Sequence, residues 1–210
     1  MNFELNSSVL LPDQHIREQL KTKTVGIAGC GGLGSNCAVA LARVGVGKLI
    51  LADFDVIETS NLNRQYFFGS QVGMPKVMAL AENIKKIDEG IVIDAHHLYL
   101  SAENIPILFQ DCDVIVEAFD TAEMKQMIIE TVLEMMPGKK LVCGVGLAGW
   151  GDNDIIKMRA HDYLYICGDL ENEVTELFPP LAPRVGIVAH MEANQVLEIL
   201  LGKMKTWKSF

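Results

Sequence analysis

Short apolar runs alternate with amphipathic stretches through the first two thirds of the chain. Thr24–Ala28 is a compact apolar run bounded by Gly29 and reads as a strand. Leu33–Val44 has the pattern of a helix, closed by Gly45 and Gly47. Lys48–Ala52 is a second strand, ending at Asp53. Over Pro75–Ile87 the apolar residues Val77, Leu80, Ala81, Ile84 and Ile87 share one helical face, and Pro75 suits a first turn. Ile91–Asp94, Asp113–Ala118 and Leu141–Val145 read as further strands, separated by a short helix at Ser101–Phe109 and a longer one at Thr121–Met135.

This rhythm predicts an α/β, Rossmann-like, mostly parallel sheet with helices on both faces. Right-handed crossovers place the strand C-terminal ends on one edge, where open sheets bind ligands. The last third changes character. Ile155–Ala160 and Tyr163–Cys167 read as two strands close enough to form an antiparallel hairpin. Gly168–Pro183 is a loop rich in acid and proline, and Arg184–Leu201 a closing helix.

The predicted ligand edge carries chemistry. Gly29-Cys30-Gly31-Gly32-Leu33-Gly34 follows a strand and opens a helix, which is the context that gives the G-x-G-x-x-G spacing of Gly29, Gly31 and Gly34 its meaning. Glycines let the backbone approach a phosphate, and the helix N-terminus offers unpaired N–H groups. Asp53 follows Gly34 by 19 residues, at the end of the second strand, where a carboxylate can accept from ribose hydroxyls or brace a turn. These features alone do not separate NAD from ATP. Beyond Asp53 come Arg64 and Lys76, two cations suited to a triphosphate rather than a dinucleotide. Asp120 ends the fourth strand; it either caps the next helix or holds Mg²⁺ between phosphates.

At these residues the chain resembles the ThiF/MoeB/HesA family, bacterial relatives of ubiquitin-activating enzymes. The resemblance rests on the G-x-G-G-L-G loop, the D-x-D-x-[VI]-x-x-S-N-L-x-R-Q segment Asp53–Gln65, the G-x-x-K segment Gly73–Lys76 and the strand-end Asp120. It implies that ATP and Mg²⁺ are bound and that the C-terminal glycine of a small ubiquitin-like sulfur carrier protein, ending in Gly-Gly, is adenylated with release of pyrophosphate. Thiamine thiazole synthesis is one pathway it suggests. By the same resemblance Gly29, Gly31, Gly32 and Gly34 form the nucleotide loop and Asp53 meets the ribose. Ser60, Asn61, Arg64 and Lys76 meet the phosphates, Arg64, Lys76 and Asp120 are the catalytic groups, and Asp120 is the Mg²⁺ ligand. A homodimer is expected, with residues 1–22 as an N-terminal extension and 23–210 as the adenylation domain.

Three departures qualify the resemblance. The five cysteines, Cys30, Cys37, Cys112, Cys143 and Cys167, form no C-x-x-C pair, so no zinc is expected. The loop Asp169–Pro183 lacks the cysteine that some relatives use to bond their carrier. Arg17 is the sole arginine before Gly29, and its spacing does not match the segment that sends an arginine to a partner subunit. Two other readings therefore stand beside adenylation: an NAD-dependent oxidoreductase, and a nucleotide-binding scaffold that docks a carrier without activating it.

Composition narrows the partners. Half the residues are hydrophobic and 21% are charged, enough for a sizeable core. The formal net charge of −9 repels nucleic acid and anionic membranes, so any phosphate site has to be built locally. No apolar stretch is long enough to span a bilayer and no secretory signal is visible. Scattered thiols suit a reducing, cytoplasmic setting.

Overall fold

The structure is a computed structural model, and it describes residues 12–202. Seven strands form one sheet: β1 (Thr24–Ala28), β2 (Lys48–Asp53), β3 (Val92–His97), β4 (Val114–Glu117), β5 (Lys140–Val145), β6 (Lys157–His161) and β7 (Leu164–Gly168). Their spatial order is β3-β2-β1-β4-β5-β7-β6. All neighbours pair in parallel except β6, which runs antiparallel to β7. The expected hairpin is therefore present, and β7 joins the parallel sheet through β5.

Six helices cover the sheet: α1 (Pro12–Leu20), α2 (Gly32–Val44), α3 (Lys76–Lys85), α4 (Ile105–Leu108), α5 (Ala122–Met135) and α6 (Ala182–Leu201). The two-residue period of the strands sends alternate side chains to two separate cores. Leu49 and Leu51 of β2, and Val114 and Val116 of β4, pack under α2, α3 and α6. Ile50 and Ala52, and Ile115, turn the other way, towards α4 and α5. This two-sided burial explains why these strands read as continuous apolar runs in the sequence rather than as alternating ones.

β1 has β2 on one side and β4 on the other, so the chain reverses direction across the sheet at β1. The crevice beyond the C-terminal ends of β1 and β4 lies at this switch point. α2 leaves β1 there, and Gly34 lets it do so. A Cβ on Gly34 would stand 1.9 Å from the Gly29 carbonyl oxygen, so any side chain would force the helix off the strand.

The strand and helix boundaries follow the sequence reading to within a few residues, except the short helix read at Ser101–Phe109, which is one turn, Ile105–Leu108. Residues 12–20, within the stretch read as an extension, form α1. Leu20 is fully buried, and the Gly47 amide donates to its carbonyl at 2.9 Å. Arg17 donates to the Arg43 carbonyl at 2.9 Å and lies against Gly45 at the end of α2. Leu20→Ala should therefore destabilise the chain by about 2–5 kcal/mol, the cost of a core cavity. Denaturant unfolding monitored by circular dichroism checks this, and a change below about 0.5 kcal/mol would show that α1 is dispensable.

Candidate functional site

A cavity of about 870 Å³ opens at the switch point. It is lined by the glycine loop, with Gly29, Gly31 and Gly32, and by the adjacent β4 exit, Ala118–Asp120. Arg64 and Lys76 belong to its polar lining, and Phe54, Leu98, Leu100, Phe119 and Met124 to its apolar lining.

The loop is held by Asp53. One carboxylate oxygen accepts the Cys30 amide at 2.6 Å and the other the Asp55 amide at 2.7 Å. Burial raises the Asp53 pKa, and these two amides oppose the rise. Asp53 lines the cavity, but its first task is to fasten the β1–α2 loop to the β2 exit. No side chain caps α2, whose first residues Gly32 and Leu33, with the N-cap Gly31, line the cavity. The Cys30 side chain does not line the cavity, although it stands in the glycine loop. It is fully buried in the core, which pushes its thiol well above the ordinary range.

The two cations are presented differently. Arg64 follows a 3-10 turn, Thr59–Asn63, and lies over Gly32. One guanidinium nitrogen donates to Asn63 Oδ1 at 2.9 Å, and the Asn36 amide ties the Arg64 carbonyl to α2. Lys76 sits in the first turn of α3, almost wholly buried rather than at a free surface, and its ammonium donates to Asp55 Oδ2 at 2.6 Å. One acceptor leaves an ammonium two further N–H bonds.

Three residues of the expected set do not line the cavity. Gly34 is a packing glycine. Asn61 accepts the Glu58 amide at 3.0 Å and Ser60 donates to the Glu58 carboxylate at 3.2 Å, so both shape the turn that carries Arg64. Asp120 does line it, and it is not the helix cap. Thr121 caps α5, its hydroxyl accepting the Met124 amide. Asp120 is exposed and makes no hydrogen bond among the described residues.

That donor set fits Mg²⁺ bound through a ligand. Among the described residues no group of three or more His, Cys, Asp or Glu side chains could hold a metal by itself. Mg²⁺ typically takes one or two carboxylates and completes its shell with phosphate oxygens and water, which a lone Asp120 beside a phosphate site would allow.

Sequence reasoning passed over several residues here. Asp55 and Gln65 stand in the quoted motif, and both line the cavity; Gln65 is buried with its Oε1 unpartnered. Their place beside Asp53 and Arg64 was the available signal. Asp169 and Arg184 had none, being 15 residues apart. Arg184 donates to Asp169 at 3.3 Å in a buried pair that anchors the loop after β7, and Asn172 and Glu173 of that loop reach the cavity. Burial works against the Asp169 charge, yet the Asn172 and Glu171 amides and Arg184 hold its pKa below the usual range.

Behind the cavity lies a buried acid with no partner. Glu192 of α6 is fully buried and neither oxygen is hydrogen bonded. It approaches β5 closely because position 144 is glycine; a Cβ there would meet Glu192 Oε1 at 2.9 Å.

Comparison with known proteins agrees with this architecture. The family model described as the ThiF family matches residues 5–209. The chain belongs to the ThiF family. It is 33% identical over 203 residues to the adenylyltransferase and sulfurtransferase MOCS3 of Danio rerio, covering 93% of this chain and 44% of that one. It is 36% identical over 115 residues to ubiquitin-like modifier-activating enzyme 5 of Bombyx mori, covering 55% and 29%. The chain thus spans less than half the length of these curated relatives. Among solved structures, the E. coli tRNA N6-threonylcarbamoyladenosine dehydratase TcdA in complex with ATP superposes with a TM-score of 0.80 at 19% identity, covering 90% of this chain and 89% of that one. E. coli MccB with ATP gives 0.64 at 24% identity, covering 88% and 57%. Both establish the shared fold. No helix among the described residues is long and apolar enough to cross a membrane.

The orphan acid has a pH signature. Burial, and then the Glu117 charge, raise the Glu192 pKa well above the carboxylate range, with Lys125 opposing. Cys37, Cys143 and Cys167 also feel its charge. The folded chain therefore keeps a proton that the unfolded chain releases above about pH 4.3. Stability contributed by this proton is full below that pH and declines as pH rises towards the folded-state value. Glu192→Gln cannot titrate, so its unfolding free energy should fall less than wild type between about pH 5 and about pH 8. Equal slopes in chemical denaturation would show that Glu192 ionises normally.

Proposed function

We propose that this ThiF-family chain adenylates the C-terminal glycine of a small ubiquitin-like sulfur carrier protein ending in Gly-Gly, using MgATP and releasing pyrophosphate. The observation that carries this reading is the convergence of Arg64, Lys76, Asp120 and the glycine loop that opens the uncapped α2 on one cavity. In a chain of net charge −9, two cations beside a glycine loop are a local anion site. The names of the relatives point the same way: MOCS3 is an adenylyltransferase, and solved structures of TcdA and MccB contain ATP.

In this reading the base lies against the apolar lining, near Phe54, Leu98 and Leu100, and the ribose near Asp53. The phosphates lie over Gly31 and Gly32. A carrier carboxylate oxygen attacks the α-phosphorus, the bond from that phosphorus to the bridging oxygen breaks, and pyrophosphate leaves with the electron pair. No protein nucleophile is needed; positioning and charge stabilisation suffice. Arg64 offers a forked guanidinium to phosphate oxygens, and Lys76 the two N–H bonds that Asp55 leaves free. Mg²⁺ held at Asp120 would neutralise charge shared between phosphates. Thiamine thiazole synthesis is one outlet for such a carrier, and a homodimer the assembly typical of the resemblance.

Arg64→Ala and Asp120→Asn test the site. Loss of one charge-assisted phosphate contact at Arg64 should weaken MgATP binding by about 1.5–3 kcal/mol. Asp120→Asn should lower carrier adenylation about a hundredfold, as for removal of one preorganised electrostatic group. Calorimetry and carrier-dependent pyrophosphate release measure the two. Unchanged values in both variants would refute the reading, and ATP binding without pyrophosphate release would favour the scaffold.

The reaction should stop at the acyl-adenylate. All five cysteines are buried. Cys167, next to the loop, is fully buried, and burial with the Glu192 charge pushes its thiol up to about 12. The causes are burial and Glu192, not the neighbouring Asp169 and Glu171. Intact-mass spectra of enzyme, MgATP and carrier without reductant should show unmodified enzyme. An enzyme–carrier adduct lost in Cys167→Ala would show a thioester step instead.

A further inference from the structure

We infer that the Glu117–Lys125 ion pair, whose carboxylate is fully buried and whose ammonium is partly exposed, is a positioning device that sets Asp120 for its metal. The inference rests on the reading of Asp120 as the Mg²⁺ ligand. Glu117 is the last residue of β4 and fully buried. Lys125 lies in α5, and its ammonium donates to Glu117 Oε1 at 2.9 Å, to Oε2 at 3.1 Å and to the Gly144 carbonyl at 2.9 Å. Three acceptors occupy the three N–H bonds of an ammonium, so Lys125 has none to offer a phosphate although it lines the cavity.

What the pair holds is backbone. Glu117 Oε1 also accepts the Phe119 amide at 2.7 Å. The Ala118 amide donates to the Ala28 carbonyl at 2.8 Å, and Thr121 caps α5. Asp120 thus sits between two fastened neighbours, and its own side chain has no protein partner among the described residues. Its direction comes from the backbone path from Glu117 to Lys125. Lys125 closes that path into a loop and ties it to the β5 end, where Gly144, Val145 and Gly146 form another part of the cavity wall. Burying the carboxylate of an ion pair is a poor source of stability, since apolar residues of similar size often serve as well. Its geometric effect here is specific: it fixes the exits of β4 and β5 on either side of a candidate metal ligand.

The test is the free Mg²⁺ concentration needed for half-maximal ATP binding, measured by calorimetry on the full chain. Groups that orient a metal ligand typically change metal affinity 10–100-fold. Lys125→Met should raise the Mg²⁺ requirement at least about tenfold. Lys125→Arg, which can still donate to Glu117 and Gly144, should restore it to within about threefold. In an Asp120→Asn background, Lys125→Met should add less than about twofold, because the ligand it positions is gone. If Lys125→Met fails to fold, Glu117→Met/Lys125→Met leaves no unpaired buried charge and should raise the Mg²⁺ requirement at least as much, since the Phe119 amide then loses its acceptor together with the tie to β5. An unchanged Mg²⁺ requirement in the folded variant, or an equal effect with and without Asp120, overturns the inference while leaving the Asp120 reading intact. Wild-type Mg²⁺ dependence in Asp120→Asn alone would remove that reading and the inference with it.

Discussion

The Asp53 carboxylate organises the site. Its two oxygens take the Cys30 and Asp55 amides, one from each side of the β1–β2 seam. The glycine loop is thereby drawn against the β2 exit, and Asp55 is placed where Lys76 can reach it. The clamp adds to the direct ties between α2 and the Arg64 segment, where Asn36 donates to the Arg64 carbonyl and the Tyr66 amide donates to Ser35. The carboxylate remains at the cavity wall while serving as a structural acceptor. The same side chain can therefore be necessary for the loop and available to a ligand.

Around this clamp the molecule resolves a charge problem. The chain is acidic overall, yet the cavity needs positive potential. It uses few cations and keeps acceptors close to each: the Asp55 carboxylate for Lys76, and the neutral Asn63 Oδ1 and Ser60 carbonyl for Arg64. A paired cation costs less to hold near a low-dielectric wall than a bare one, and it keeps donors for an arriving anion. Lys125 is the contrasting case, with every donor committed inside the protein.

The two carboxylates beneath the cavity lie on opposite faces of the sheet. Glu117 belongs with the α4–α5 side and pairs with Lys125, whereas Glu192 belongs to α6 on the other side, has no hydrogen-bond donor, and has its pKa raised well above the carboxylate range by burial. Their repulsion is part of what raises both Glu192 and the neighbouring Cys143 thiol. The thiols are thus kept inert by burial and by carboxylates, the reverse of the electropositive, partly exposed setting that activates a cysteine.

The sequence by itself determined the α/β rhythm, the ligand edge and the polar core of the site. The apolar runs of β1, β2 and β4 are buried on both faces and so read clearly, and local motifs placed Gly31, Gly32, Asp53, Arg64, Lys76 and Asp120 in one cavity. Local spacing also brought in Gly34, Ser60 and Asn61, which do not line the cavity, because a motif does not distinguish a residue on the cavity wall from one that shapes the turn beside it. Only the tertiary structure decided that Thr121, and not Asp120, caps α5, since two adjacent polar residues offer equal local propensity. It alone paired Glu117 with Lys125 and Asp169 with Arg184, and set Glu192 against Gly144. Such contacts depend on how strands order in the sheet and which helix covers each face, and the hydrophobic period of any one segment carries no record of that.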